Sequence, residues 1–413
     1  MKKIAVIGGG VSGLTVARQL KEKYRVTIYE KEDRCGGLIR CKRVAGSLYH
    51  LCGGHVFNTK RDDVSDFFWS IFNKEKDFVK ADRNSVVYFN DSQIIPYPIE
   101  NHAYLFSPDI LKGFVDDIVT ISKNVEEPTN FEEFLKMRFG ETLYNLYFGP
   151  YNEKLWKCNL KEVSLDWLEG KLPMPSVQEI IFNNFLQVKE KEFVHSTFYY
   201  EKQDGSQFIA DQMSKGLDVL YNVNVSNIVN KSNRWYVNGT EYDYVVFCGN
   251  IKDIPQILEG VDLGMFACQI ENLKYHGTTS VFCEIEKNPY SWIYIPNKEC
   301  MSHRIICTGN FSVSNNAEGK MTASIEFTDE IEKGKILENL NKLPLKPRYL
   351  DHFYSRYTYP IQDRDTRKMV KEFKNVLARR GFFLTGRFAD WEYYNMDVAM
   401  GAAIDMCKNH KLI

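Results

Sequence analysis

The chain opens on a short apolar run, Ile4-Ala5-Val6-Ile7, too short for a helix and closed by glycine, which predicts a buried strand. Val11, Leu14, Val16, Ala17 and Leu20 then recur at helical spacing, and Arg25-Val26-Thr27-Ile28-Tyr29 predicts a second strand. Residues 84–99 read as a hairpin with Asn90-Asp91 in its turn. From 107 to about 190 the period becomes helical. There Ser107-Pro108 predicts an N-cap and first helical position, with Ile110, Leu111, Phe114 and Ile118 on one face. Thr129-Asn130-Phe131-Glu132 matches a capping box. Between 204 and 229 a turn, a helix and strands follow one another, and 242–250 predicts a further buried strand. Segments within 268–330 alternate apolar and polar, the pattern of antiparallel strands, and 381–407 predicts a strand, a loop and a helix of small residues.

These elements predict an α/β chain. Its first part is a Rossmann-like nucleotide-binding domain with a parallel sheet, assembled from residues 1–75, 195–262 and 375–413. A helical domain, 103–192, is inserted, and residues 76–102 and 263–374 form an antiparallel-sheet domain expected to face a substrate.

The turn after the first strand carries Gly8, Gly10 and Gly13 in the G-x-G-x-x-G spacing, with Glu30 closing the second strand. Gly8 permits the tight turn, Gly10 lets a pyrophosphate approach the backbone, and Gly13 lets helix and strand pack closely. The helix N-terminus adds free N–H groups and partial positive charge, and Glu30 can accept hydrogen bonds from a ribose. Arg34, Gly36 and Gly37 follow directly. This second glycine turn resembles FAD-dependent flavoproteins of the amine oxidase type, which makes FAD the expected dinucleotide.

Charge narrows the partners. With 53 Lys and Arg against 54 Asp and Glu, the net charge is −1, so no nucleic-acid or anionic-membrane partner is expected. No apolar run reaches membrane-span length, and the N-terminal run is too short for a signal sequence, so a cytoplasmic protein is expected. The 10 cysteines lack zinc spacing, and no metal is expected. Cys248, Cys268, Cys283 and Cys307 lie in apolar strand-like segments and read as small core residues. Cys35, beside the glycine pair, reads as a reduced thiol, with redox activity the other reading.

Seven motifs then occur in order: LCGGHVFNTK at 51–60, IPYPIENH at 95–102, FGPYNEKLWK at 148–157, SWIYIP at 291–296, SHRIICTGNFS at 302–312, YTYP at 357–360 and GRFADWEYYNMDVAMGAA at 386–403. Together they resemble the UDP-galactopyranose mutase family, with wording close to its eukaryotic branch and a length close to its bacterial one. The resemblance implies an isomerase that interconverts UDP-galactopyranose and UDP-galactofuranose, or a related UDP-hexose pair, in cell-surface polysaccharide biosynthesis. It implies FAD that is active when reduced, its N5 attacking the anomeric carbon with no net redox change. It also leaves room for NAD(P)H or another electron donor, and for a homodimer.

The family's residues carry over by motif. Gly8, Gly10, Ser12, Gly13, Glu30, Lys31, Gly36, Gly37, Val225, Gly386 and Arg387 match cofactor-binding positions. Gly54 and His55 match the loop that passes the flavin near N5, although His55 also reads as a loop-capping imidazole. Asn395, Met396, Asp397 and Val398, at the start of the last helix, match the segment facing the flavin's N1–O2 edge. His55, Arg304 and Arg387 are the implied catalytic residues. Arg304 and Arg387, with Tyr294, Tyr359 and Tyr393, match the diphosphate-holding set, where planar guanidinium forks suit phosphate oxygens. Tyr151 and Trp156, five apart in the helical block, read as flanking a uracil with Asn152 at its edge, structural packing of one of the two aromatics being the other reading, and Trp292 is expected to line the substrate. Lys171 occupies the mobile-loop position where the family has arginine, which keeps the charge and loses the fork. The other reading is an FAD oxidase or desaturase of the amine oxidase or protoporphyrinogen oxidase type, which calls for a mostly apolar substrate cavity.

Overall fold

Strand Lys3–Ile7 sits at the centre of a five-stranded sheet. The computed structural model describes residues 1–122, 127–165, 168, 175–188 and 197–413. In it the sheet runs Phe382–Leu384, Tyr244–Phe247, Lys3–Ile7, Arg25–Tyr29, Asp218–Leu220, with every neighbouring pair parallel. Ile4 and Val6 pack to one side, where Leu14 and Ala17 of helix Val11–Leu20 meet Met400 and Ala403 of helix Met396–Asn409. Ala5 and Ile7 pack to the other side, against Ile270 of helix Phe266–Glu271 and Phe373 and Leu377 of helix Thr366–Ala378. Burial on both faces explains the continuous apolar run.

The second sheet has seven strands, ordered Arg348–Pro360, Tyr275–Glu284, Thr322–Thr328, Arg304–Ile306, Trp292–Tyr294, Ser85–Asn90, Gln93–Pro96. All pairs are antiparallel except Trp292–Tyr294 with Ser85–Asn90. Its two faces differ in chemistry. Val281, Cys283, Ile293, Ile305, Ile325 and Phe327 pack against Ile336 and Leu340 of helix Lys333–Leu340. The alternate positions, Ser280, Tyr294, Arg304, Ser324 and Glu326, form the opposite face. The alternation is the predicted one, but its polar side does not meet water: Ser280 and Ser324 are 0% exposed and Glu326 1%.

The helical block contains Pro108–Ile121, Phe131–Leu143, Gly149–Trp156 and Val177–Leu186, packed through Phe114, Ile118, Phe131, Leu135 and Phe139. Ser107 and Pro108 stand at the N-cap and first position as expected. The next cap is shifted by one residue. Asn130 accepts from the Glu133 N–H at 3.0 Å, and the Glu133 carboxylate accepts from the Thr129 N–H at 2.8 Å. Asparagine is the stronger cap, and Glu133 rather than Glu132 reaches back. Cys268 also departs from expectation: it is exposed, on helix Phe266–Glu271, whose apolar residues Phe266 and Ile270 follow helical spacing. Cys283 and Cys307 are buried. Among the described residues, no cluster of three or more metal-ligating side chains forms, and no helix is long and apolar enough to cross a membrane.

Candidate functional site

Glycine geometry builds the first half of the site. Gly8 adopts φ 101°, and a Cβ on Gly13 would lie 1.9 Å from the Gly8 carbonyl oxygen, so only glycine lets the helix start so close to the strand. Gly10 caps helix Val11–Leu20 without a side-chain bond, leaving its first N–H groups unclaimed by a cap. The Gly36 N–H donates to the Gly9 carbonyl at 2.9 Å, and Gly10 bridges Gly36, which sets the two glycine turns side by side. Glu30 is anchored by the backbone: its carboxylate accepts from the Gly9 N–H at 2.7 Å and the Glu32 N–H at 2.9 Å. Each oxygen retains a lone pair for a ligand hydroxyl.

Beside these turns opens a cavity of 660 Å³. Its wall gathers, from three separated stretches, Gly8, Gly10, Ser12, Gly13, Glu30, Lys31, Gly36, Gly37, His55, Val225, Gly386, Arg387, Asn395 and Met396. Three other candidates lie outside that wall. Gly54 backs onto the seven-stranded sheet, where a Cβ would meet Ile306 at 2.6 Å. Asp397 sits in the first turn of the last helix, its pKa raised by burial. Val398 is 40% exposed.

Four polar atoms of cavity-lining residues are buried without a hydrogen-bond partner among the described residues: Arg40 Nε, His55 Nε2, Asn250 Nδ2 and Arg387 Nε. Such atoms are costly unless a ligand satisfies them. Burial, reinforced by the Arg387 charge, lowers the His55 pKa to about 4, so its imidazole is neutral at physiological pH. His50, 0% exposed and bonded to Tyr200 at 2.8 Å, is lowered by burial to about 3. Below the unfolded histidine value the unfolded chain binds protons that this ring refuses, so stability falls as pH falls. Between pH 7 and pH 5 the His50 contribution to that loss is expected to be on the order of 2 kcal/mol. Urea unfolding at both pH values checks this, with His50→Phe flattening the dependence. Burial pushes the Cys35 thiol up to about 11, which keeps it protonated at neutral pH.

The second half of the site is cationic and phenolic. Arg387 lies over the Tyr393 ring at 4.1 Å and the Tyr359 ring at 5.5 Å, and these two rings stack 5.2 Å apart. Arg304 donates to the Tyr359 hydroxyl at 3.3 Å and to the Glu326 carboxylate. Tyr294 accepts from Arg83 at 2.9 Å and meets the Tyr151 ring edge-on at 5.5 Å. Trp156 approaches Tyr359 at 6.2 Å. The structure thus brings Arg304, Arg387, Tyr151, Trp156, Tyr294, Tyr359 and Tyr393 into one cluster. Asn152 donates to the Phe148 carbonyl at 2.8 Å, within its own helix. Trp292 is packed against Phe311, at 4.9 Å, with the Arg83 guanidinium over its ring at 5.0 Å. Lys171 lies outside the described residues.

Sequence reasoning missed Glu326. Its carboxylate takes Arg304 on one oxygen and the Gly53 N–H, at 2.8 Å, on the other, with His303 Nε2 at 3.5 Å. Burial would raise its pKa; Arg304 and His303 together hold it well below the usual carboxylate range. Arg83, which contacts Tyr294 and Trp292, was missed as well. The signal for Glu326 was a lone charge among Ser324, Ile325 and Phe327 in an otherwise buried strand pattern.

Residues 6–71 match the NAD(P)-binding Rossmann-like domain. A probable UDP-galactopyranose mutase of Klebsiella pneumoniae is 29% identical over 182 residues, covering 42% of this chain and 45% of that protein. The dTDP-fucopyranose mutase of Escherichia coli is 29% identical over 189 residues, covering 42% and 46%. The chain thus matches under half the length of these two relatives. The crystal structure of a reduced UDP-galactopyranose mutase superposes with a TM-score of 0.89 at 21% identity, over 100% of this chain and 96% of that one. In fold along its whole length, and in sequence over about two fifths of it, this chain is similar to nucleotide-sugar mutases.

Proposed function

We propose that this protein is a flavin-dependent mutase acting on a UDP-hexose, interconverting pyranose and furanose forms, with UDP-galactose the first substrate to test. The observation that carries this reading is the cluster of Arg304, Arg387, Tyr359 and Tyr393 beside the glycine-cradled cavity. Two guanidinium groups and two phenols suit a diphosphate leaving group, whereas an oxidase of apolar substrates has no use for them. The residues also fit FAD: the backbone is open at Gly10, where a Cβ would meet nothing nearer than Gly37 Cα at 3.9 Å, and the buried His55 Nε2 and Arg387 Nε on the same wall can serve a polar ligand.

In this reading the turns at 8–13 and 36–37 hold the pyrophosphate, Glu30 the ribose, and His55 with the start of helix Met396–Asn409 the isoalloxazine. Reduced FAD, when bound, supplies an electron-rich nitrogen to the anomeric carbon. Arg304 and Arg387 balance the charge that develops as the diphosphate departs, and keep it near for recapture. Tyr151 and Trp156 hold the base, so that the sugar is the part free to change form. His55, neutral at working pH, offers a hydrogen bond without adding charge.

The test is anaerobic incubation with UDP-galactopyranose before and after dithionite reduction, with sugar nucleotides separated by chromatography. Furanose formation only in the reduced sample is the expected result. Oxygen-dependent peroxide release from a porphyrinogen or amine, with no sugar-nucleotide conversion, would replace this reading with the oxidase.

A further inference from the structure

We propose that Lys154 is a positioning residue, its ammonium stapling the helix that bears Tyr151 and Trp156 to both strands that bear Tyr294 and Arg304. The inference rests on the nucleotide-sugar reading of this site. Lys154 lies within the FGPYNEKLWK motif, yet no role in base or phosphate binding falls to it.

Its nitrogen donates to the Ile295 carbonyl at 2.7 Å and to the Ser302 carbonyl at 3.1 Å. Ile295 directly follows Tyr294, and Ser302 stands two residues before Arg304. Tyr294 and Arg304 are themselves register partners across the strand pair. One cation therefore holds the two chain segments where they leave that pair. The same helix is tied again from its backbone: the Thr328 hydroxyl donates to the Lys154 carbonyl at 2.8 Å, and Thr328 is two residues beyond Glu326. Lys157, one turn on, donates to the Thr328 carbonyl at 2.8 Å. Lys154 thus adds polar ties between the aromatic and cationic ends of the cluster, which otherwise meet through the Tyr151–Tyr294 and Trp156–Tyr359 ring contacts.

Two bonds to neutral carbonyls use the ammonium as a geometric clamp, and among the described residues no carboxylate is paired with it. A cavity of 300 Å³ lies outside the clamp, lined by Lys154, Glu153, Lys157 and Lys298. A guanidinium has room to enter it.

The experiment compares Lys154→Met, which keeps length and loses every donor, with Lys154→Arg, which restores donors. UDP affinity is measured by calorimetry on oxidised, flavin-loaded protein, and KM and kcat on reduced protein. Expected for Lys154→Met are a loss of UDP affinity of about tenfold and a matching rise in KM with kcat within threefold, most of it recovered in Lys154→Arg. UDP affinity within twofold of the unaltered protein, even with a lowered melting temperature, overturns the proposal. If Lys154→Met does not fold, Lys154→Gln takes its place under the same criteria. If the unaltered protein binds no UDP, the nucleotide-sugar reading fails by itself. Hydrogen exchange then decides the staple: faster exchange in both 149–157 and 292–306, reversed by arginine, supports it, and unchanged exchange overturns it.

Discussion

Replacing Arg304 with alanine is expected to cost about 3–5 kcal/mol of folding stability and to abolish tight UDP binding in the same step. The stability loss comes from the partner left behind. Glu326 is 1% exposed and would keep the Gly53 N–H and its long contact to His303 while losing its guanidinium. A buried carboxylate without its cation is among the most expensive states a core can hold. The binding loss comes from the phosphate contact, about 1.5–3 kcal/mol for a charge-assisted bond, or some tenfold to a hundredfold in affinity. A second variant separates the two effects. Arg304→Met with Glu326→Leu removes both charges, and urea unfolding is expected to show most of the stability regained while calorimetry shows UDP affinity still lost. Affinity within threefold of the parent in either variant would take Arg304 out of the diphosphate site.

The glycine turn supplies an equally large expected effect. In Gly13→Ala the new methyl would fall 1.9 Å from the Gly8 carbonyl oxygen, a distance no rotamer relieves because both atoms belong to backbone. The turn must open, and insoluble or colourless protein is expected. Gly10→Ala has a different fate. Its methyl meets nothing nearer than Gly37 Cα at 3.9 Å, so the chain folds. The methyl then occupies the approach that a pyrophosphate needs, and flavin content after purification is expected to fall at least tenfold while the melting temperature of the flavin-free protein is unchanged. Normal flavin content in Gly10→Ala would place the pyrophosphate elsewhere.

The nucleotide-binding half was legible because its constraints are local. A strand buried on both faces needs a continuous apolar run, and a helix packed against its own strand needs Gly13. The antiparallel sheet was legible in its alternation, but the meaning of the polar positions was not. Alternation gives Ser324 and Glu326 no role, and only the fold shows Gly53, 273 positions away in sequence, donating to Glu326. Contacts of that span leave no periodic trace. The cap at Asn130 was displaced by one residue because Glu132 and Glu133 are adjacent and only geometry chooses between them. Asn152 reads as a base-edge donor in sequence, while its amide bonds one turn back along its helix. The arginines and tyrosines were named from motifs alone; composition, with 24 tyrosines in the chain, does not single them out.

The two-faced seven-stranded sheet divides labour in a way that bears on how such a protein changes over time. Cohesion rests on Val281, Ile305, Ile325 and Phe327, which look away from the cavity. In the proposed function, handling of the ligand falls to Tyr294, Arg304 and their neighbours on the opposite side. A lineage can therefore rewrite one surface while the other goes on holding the strands in register. Glu326 is the exception, since it serves both tasks and ties this sheet to the loop at Gly53. Drift toward a new substrate is expected to pass around that carboxylate, or to replace it and Arg304 together.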